Sequence, residues 1–300
     1  VPSSCATTGD AVLLETLTDA APAGFRTPRR RIFNPLRLTD EEVERSFIAR
    51  RPLFASLLAD IAAETGDRPP QHHLIVGQRG MGKTTLLCRI AAELRKADHQ
   101  ARFLPLTFPE EQYIEIDRLS KFWLNCLDAM ADSLEATGDR ATAADLDAQV
   151  RQLERGRADE KTRAEQARAA FQAAIARVGR RPVLLLDNLH LLLQRLREHD
   201  YVLRGFFTRR GAPVLVGAAA VVPESLQDYG AAFYDSFKTH VLHRLSVGEM
   251  RDIIVQLARE ANRPDVASRL HAELPRLRAL RDLTGGNPRT TVLLFELFAQ

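Results

Sequence analysis

One stretch of the sequence, residues 74–85, constrains the fold more than any other. A short apolar segment leads into a glycine-rich turn, and an apolar pattern with helical spacing follows the turn. Gly77, four residues, and then Gly82-Lys83-Thr84 fit the P-loop pattern, in which a strand, a phosphate-binding turn and a helix follow one another. The sequence therefore predicts a nucleotide phosphate site in an α/β fold.

Each residue type in this turn suits a polyphosphate ligand. Glycines let backbone N–H groups approach the phosphates in the dihedral angles that such a turn requires. We expect Lys83 to contact the β- and γ-phosphates and the Thr84 hydroxyl to bind Mg²⁺, while the first turn of the helix directs further N–H groups at the anion. The predicted nucleotide-binding residues here are Gly77, Gln78, Arg79, Gly80, Met81, Gly82, Lys83, Thr84 and Thr85.

A second chemical landmark lies about 100 residues downstream of the P-loop. Residues 183–186 are all apolar and end in Asp187, which is typical of a buried central strand that delivers a carboxylate to the carboxyl edge of a sheet. Open α/β sheets bind their ligands at that edge. Asp187 is therefore the candidate Walker B acid and, with Thr84, the candidate magnesium residue.

The composition excludes several classes of protein. Hydrophobic residues make up 45% and charged residues 27% of the chain, as in ordinary globular proteins. No run approaches the roughly 18 to 20 apolar residues of a membrane span, and the first residues lack the pattern of a secretory signal. The three cysteines have no metal-type spacing, which favours a reducing compartment. We therefore expect a cytoplasmic protein without a membrane partner.

The remaining patterns predict how the chain is organised. Capping boxes at Thr39 and Ser246 start two helices, and the motif Gly-Gly-Asn-Pro-Arg at residues 285–289 starts a third, with Asn287 as its cap. We predict a central, mostly parallel five-stranded sheet flanked by helices, with a helical insertion whose second part, residues 139–168, is exposed. The predicted segments are an N-terminal arm at 1–32, a nucleotide-binding domain at 33–245 with its insertion at about 110–180, a helix from Pro223 towards Phe237, a last strand at 239–245 and a helical lid at 246–300.

Taken in order, the P-loop, Leu-Leu-Leu-Asp, a Val-Gly strand, Leu-Ser-x-x-Glu and Gly-Gly-Asn-Pro-Arg resemble an AAA+ ATPase. The chain is most similar to the bacterial branch related to archaeal origin-recognition initiators and STAND-type signalling ATPases. This resemblance implies ATP and Mg²⁺ as cofactors and self-association through the nucleotide site. It also implies Lys83 and Asp187 as catalytic residues and Arg289 as the sensor 2 arginine on the γ-phosphate. Arg50, or its neighbour Arg51, would lie beside the adenine. The guanine signature Asn-Lys-x-Asp is absent from the sequence.

The chain also departs from this family pattern. Asn188 occupies the catalytic position after the Walker B acid, where active enzymes usually carry Glu, and His190 stands where related sequences often have an acid. The sensor 1 strand reads Gly-Ala-Ala at 217–219, without the usual polar residue. The expected position of an arginine finger holds Phe237-Lys238, with Arg244 further on. A missing polar group at such a site can cost orders of magnitude in rate, so slow turnover is expected.

Three functions stay open at this point. The first is an ATP-binding, slowly hydrolysing switch that controls assembly with itself or with an unidentified protein partner. The second is a non-hydrolysing, nucleotide-loaded interaction scaffold. The third is a DNA-loading or transposition-type ATPase, for which arginine clusters could contact a phosphate backbone although no helix-turn-helix or winged-helix pattern is evident.

Overall fold

The structure is a computed structural model, and it describes residues 34–108, 116–223, 226, 228–229, 232–265 and 274–299. The predicted N-terminal arm lies outside the described residues, as does part of the helix predicted to follow Pro223. The described residues, from 34 to 299, belong to one compact unit.

Five parallel strands form one sheet at the centre, which confirms the predicted α/β fold of a P-loop NTPase. The strands, in the spatial order β2-β3-β4-β1-β5, are β1 (His72–Val76), β2 (Phe103–Thr107), β3 (Arg181–Leu186), β4 (Val214–Ala219) and β5 (Phe237–Val241). Because all strands run the same way, their carboxyl ends meet at one edge. Gly77 after β1 and Asp187 after β3 therefore flank the end of β4.

Helices surround the sheet. They are α1 (Asp40–Ser46), α2 (Arg51–Ala62), α3 (Lys83–Leu94), α4 (Ala97–Gln100), α5 (Leu119–Ala136), α6 (Arg140–Arg155), α7 (Glu160–Val178), α8 (Leu189–Arg195), α9 (Asp200–Phe207), α10 (Val247–Glu260), α11 (Leu274–Thr284) and α12 (Pro288–Ala299). Both predicted capping boxes, Thr39 with Glu42 and Ser246 with Glu249, are formed. Among the described helices, none combines the length and apolarity needed to cross a membrane.

Successive residues of the central strands lie in two different hydrophobic cores. Leu184 and Leu186 belong to the core that contains Trp123, whereas Val183 and Leu185 belong to the core under α2 and α3. This alternation follows from the two-residue period of a strand. Since both faces are covered, the central strands read as continuous apolar runs, which is the pattern that identified them in the sequence.

The helical insertion is packed more closely than the sequence indicates. The prediction of an exposed insertion is wrong for one face of α6 and α7, which buries apolar side chains against α5. These residues are Ala143, Leu146, Val150, Ala164, Ala167, Phe171 and Ala174. Four of the seven are alanines, which allow close helix approach but give the face little apolar signal in the sequence.

Two strand boundaries also differ from the prediction. β1 begins at His72 rather than Leu74, because both histidines are buried and the His72 Nδ1 atom accepts a hydrogen bond from the Leu215 backbone at 3.1 Å. β5 begins at Phe237, two residues before the predicted strand, and ends at Val241. Phe237 and Lys238 are thus part of the sheet, where they pair with β1, and do not end a helix.

Candidate nucleotide-binding site

The glycine-rich turn follows the carboxyl end of β1, which lies between β4 and β5 in the sheet. Gly80 and Gly82 have φ angles of 85° and 84°, in the left-handed region that favours glycine. The Gly77 amide donates to the Ala219 carbonyl of β4 at 3.1 Å, which fixes the start of the turn against the sheet. α3 begins directly at Lys83, so its first backbone N–H groups and its positive dipole end face the turn.

The Lys83 side chain is folded into the turn. Its ammonium donates to the Gly77 carbonyl at 2.6 Å and to the Gln78 carbonyl at 3.2 Å. Burial lowers the pKa of Lys83, and the nearby Asp187 carboxylate opposes that shift. The cation is therefore held among the loop carbonyls, at the place predicted for a phosphate-binding lysine.

Thr84 and Asp187 meet across the edge of the sheet. The Thr84 hydroxyl donates directly to a carboxylate oxygen of Asp187, although 103 residues separate them in sequence. Hydroxyl and carboxylate oxygens are hard donors that suit Mg²⁺, which usually takes one or two protein ligands and completes its shell with phosphate and water oxygens. In the described part of the chain, no cluster of three or more metal-binding side chains offers a fuller cage. This pair fits Mg²⁺ bound together with a nucleotide.

The residues after Asp187 turn sharply into α8. Asn188 has a left-handed φ of 49°, and its backbone N–H donates to the Asp187 carboxylate at 2.9 Å. His190 is the second residue of α8. Burial, and then the charge of Lys83, lower the pKa of His190, while Asp187 opposes the shift. The lowered pKa favours the neutral imidazole of His190 near Lys83 and Asp187.

The sensor 1 strand carries no polar side chain at the site. Residues 217–219 of β4 lie between the P-loop strand and the Asp187 strand, and they are Gly217, Ala218 and Ala219. A Cβ added at Gly217 would lie 2.3 Å from Leu189 Cδ2. The absence of a side chain at this position lets the first residue of α8 pack directly on β4.

The turn at residues 285–289, which we call the C-terminal turn, contacts the P-loop. The Asn287 side-chain amide donates to the Arg79 carbonyl at 3.1 Å, and the Arg289 backbone N–H donates to the Gly80 carbonyl at 3.3 Å. As predicted, Asn287 also caps α12, since its Oδ1 atom accepts from Arg289 N at 2.9 Å. The Arg289 side chain is exposed and begins beside Gly80.

The site geometry agrees with a comparison to protein families. A family described as the AAA ATPase domain matches residues 46–222, more than half of the chain. The matched segment contains both the P-loop and Asp187. The chain belongs to the AAA ATPase domain family.

One similar solved structure, the Aeropyrum pernix Orc1 protein, supports the fold of this AAA ATPase domain. The Aeropyrum pernix Orc1 protein, solved in complex with DNA, is 16% identical with a TM-score of 0.52, and the match covers 73% of this chain and 52% of that chain. Cdc6p from Pyrobaculum aerophilum is 16% identical with a TM-score of 0.39, covering 74% of this chain and 54% of that chain. The chain therefore spans about half the length of each. A comparison with curated proteins finds no match.

Other predicted residues of the AAA ATPase domain have partners outside the P-loop. Arg50, predicted beside the adenine, donates to the His243 carbonyl at 3.0 Å, and burial lowers its pKa while Glu249 opposes that shift. Lys238 forms an ion pair with Asp60 at 2.6 Å. Arg244 is exposed next to Gly286. The adenine role of Arg50 and the identity of an arginine finger stay predictions.

Sequence reasoning missed two features of the site. It assigned Asn287 only as a helix cap and did not detect its hydrogen bond to the P-loop. It also treated Gly217 as a lost polar group, whereas the structure shows that Leu189 fills the space. The packing of Leu189 on Gly217 had one signal in the sequence, because a glycine inside an apolar strand often marks the close approach of another group.

Proposed function

We propose that this AAA ATPase domain binds Mg·ATP in the P-loop and acts as a slowly hydrolysing, nucleotide-dependent assembly switch in the cytoplasm. One observation carries the proposal: the Thr84 hydroxyl and the Asp187 carboxylate are hydrogen-bonded beside the half-buried Lys83 ammonium. This arrangement supplies a cation for phosphate oxygens and two hard oxygens for Mg²⁺. Bound Mg²⁺ would neutralise charge on the phosphates.

The switch part of the proposal rests on the C-terminal turn. Its contacts with Arg79 and Gly80 join the P-loop to the segment that carries Arg289. A ligand shifts a conformational equilibrium only through contacts that differ between two states. ATP that engages both Lys83 and Arg289 would stabilise the arrangement with the helical segment closed over the sheet edge, and ADP would stabilise it less.

Slow hydrolysis follows from the side chains at the sheet edge. Asn188 offers an amide in place of a carboxylate, and its left-handed turn makes its backbone N–H a donor to Asp187. An amide cannot accept a proton from water at neutral pH, so general-base assistance is reduced. His190 has a lowered pKa and is the remaining titratable group near Lys83 and Asp187 on α8.

A nucleotide-loaded scaffold is the second candidate. Lys83, Thr84 and Asp187 would hold the phosphates and Mg²⁺, whereas Asn188 and Ala218 stand where a polar side chain would orient water or sense the γ-phosphate. Such a protein would bind ATP tightly and release it unchanged. A DNA-dependent role is a further outcome to test, because Aeropyrum pernix Orc1 was solved in complex with DNA.

The test is ATP turnover measured across protein concentrations, with and without duplex DNA. Lys83→Ala is the blank, and Lys161→Ala is the matched control because it removes an exposed lysine in the first turn of α7, outside the P-loop. Turnover that rises more than linearly with concentration supports a switch completed by a neighbouring subunit. Tight binding with turnover equal to the blank supports the scaffold. Failure of the wild-type protein to bind ATP refutes both.

A further inference from the structure

The contact between the C-terminal turn and the P-loop involves two consecutive peptide groups. The carbonyl of Arg79 accepts from the Asn287 amide at 3.1 Å, and the carbonyl of Gly80 accepts from the Arg289 backbone at 3.3 Å. These carbonyls belong to the two central residues of the four that separate Gly77 from Gly82. The turn thus fixes the part of the loop that its own strand and helix do not hold.

Fixing a carbonyl also fixes the N–H group of the same peptide. In a planar trans peptide the C=O and N–H bonds point in opposite directions. The hydrogen bond from Asn287 to Arg79 therefore turns the Gly80 N–H away from the C-terminal turn. Backbone N–H groups are the ligands that a P-loop presents to phosphate oxygens. The orientation of this donor depends on a side chain about 200 residues away in sequence.

The Asn287 side chain is held in one orientation. Its Oδ1 atom accepts from the backbone N–H groups of Arg289 at 2.9 Å and Thr290 at 3.3 Å. With the oxygen engaged as a helix cap, the amide nitrogen is directed at Arg79. Asn is the residue type that can do both, because it carries an acceptor and a donor on one short, planar group.

The loop is shaped to receive this side chain. A Cβ added at Gly80 would lie 2.8 Å from Asn287 Oδ1 and 3.1 Å from Arg289 Cβ. The C-terminal turn is in turn anchored to the body, since Leu245 N donates to the Gly286 carbonyl at 2.9 Å and Arg281 Nε donates to the Leu245 carbonyl at 2.9 Å. The C-terminal turn therefore packs closely on the P-loop and is itself held by hydrogen bonds to Leu245.

We propose that Asn287 is a positioning residue for nucleotide binding: it orients the Arg79–Gly80 peptide of the P-loop for phosphate recognition. The inference rests on the proposed function and adds a regulation to it. Movement of the C-terminal segment that breaks this hydrogen bond frees the peptide and weakens phosphate binding. Bound phosphate that engages the Gly80 N–H in return stabilises the contact, as reciprocal linkage requires.

The test compares variants of Asn287 in the full chain with a fluorescent ATP analogue and Mg²⁺. Asn287→Ser keeps an oxygen that caps α12 but cannot reach Arg79, and Asn287→Asp keeps the cap oxygen and removes the donor. Asn34→Ser is the matched control, because Asn34 caps the 3-10 helix Pro35–Arg37 by accepting from Leu36 N. The expected result is a dissociation constant raised about 3- to 10-fold in both Asn287 variants, the usual loss for one hydrogen bond, with Asn34→Ser unchanged.

Stoichiometry separates positioning from damage to the fold. A variant that unfolds in part binds less than one equivalent with an unchanged dissociation constant, whereas a positioning residue changes the constant at full stoichiometry. An unchanged constant in both Asn287 variants, or a loss of stoichiometry alone, overturns the inference and leaves the proposed function intact. Wild-type protein that binds no better than Lys83→Ala overturns the proposed function itself.

Discussion

Gly217 provides a sharp test of how the sheet positions the site. An added Cβ would lie 2.3 Å from Leu189 Cδ2, 3.0 Å from its Cβ and 3.1 Å from its Cγ. Leu189 is buried, begins α8 and follows Asp187 by two residues. Gly217→Ala must therefore push the start of α8 away from β4 and displace the carboxylate predicted to hold Mg²⁺.

Two opposing effects set the size of the change. Replacing Gly by Ala in the interior of a regular element normally stabilises a protein by about 0.5–1 kcal/mol. Overpacking a dense core costs about 1–3 kcal/mol. Rotating the Leu189 side chain moves its Cγ and Cδ2 atoms but not its Cβ atom, which stays 3.0 Å from the added Cβ, so overpacking dominates. We expect a net loss of about 1–2 kcal/mol, which lowers the melting temperature of a domain of this size by about 2–8 °C.

The assay is urea unfolding followed by the fluorescence of the single tryptophan, Trp123, which is fully buried. Gly205→Ala in α9 is the matched control, because no atom lies within 4 Å of its added Cβ, and it should stabilise by up to about 1 kcal/mol. Combining Gly217→Ala with Leu189→Ala should recover at least about 1 kcal/mol relative to the sum of the single changes. A Gly217→Ala protein as stable as wild type would refute the reasoning.

Three further predictions follow from the structure. Burial, and then mutual repulsion among His72, His73 and His240, lower the pKa of His72 to about 3 and of His73 to about 4. The neutral buried rings stabilise the folded protein above the unfolded pKa near 6.5, and this stability is lost as the pH falls. The free energy of unfolding measured with urea should therefore fall by roughly 4 kcal/mol between about pH 7.5 and pH 5, and about half of this loss should be absent in His72→Asn. No such loss would contradict the burial of these rings. Burial, and then repulsion by Glu154, raise the pKa of Asp128 to about 6, so Asp128→Asn should stabilise by about 1–2 kcal/mol at neutral pH and lose this gain near pH 4, whereas a pH-independent effect would exclude the electrostatic cause. Asn188→Glu should raise ATP turnover at least about tenfold if proton acceptance limits the rate, and no gain would point to the scaffold.

Local sequence patterns predict most of the fold. The P-loop and the apolar run before Asp187 identify a strand–turn–helix unit and a buried strand, because glycine spacing and full burial each leave a mark on a short segment. The capping boxes at Thr39 and Ser246 were likewise readable, since each joins residues only three positions apart.

Other features depend on partners far away in sequence. β1 extends to His72 and His73 because the fold buries them, which two polar residues in a row did not indicate. The position of β5 was wrong because an exposed edge strand lacks a continuous apolar run. The contacts of Asn287 with Arg79 and of Gly217 with Leu189 arise only when the chain is folded.

The central claim is that Lys83, Thr84 and Asp187 form a site for Mg·ATP. Its most direct test is isothermal titration of ATP into the wild-type, Lys83→Ala and Lys161→Ala proteins, with and without Mg²⁺. The account predicts one equivalent of ATP bound by the wild type and Lys161→Ala, more tightly with Mg²⁺, and at least about 100-fold weaker binding by Lys83→Ala, as expected when a charge-assisted contact worth about 3 kcal/mol is removed. Equal affinity in Lys83→Ala, or an affinity of the wild type that Mg²⁺ does not change, would contradict it.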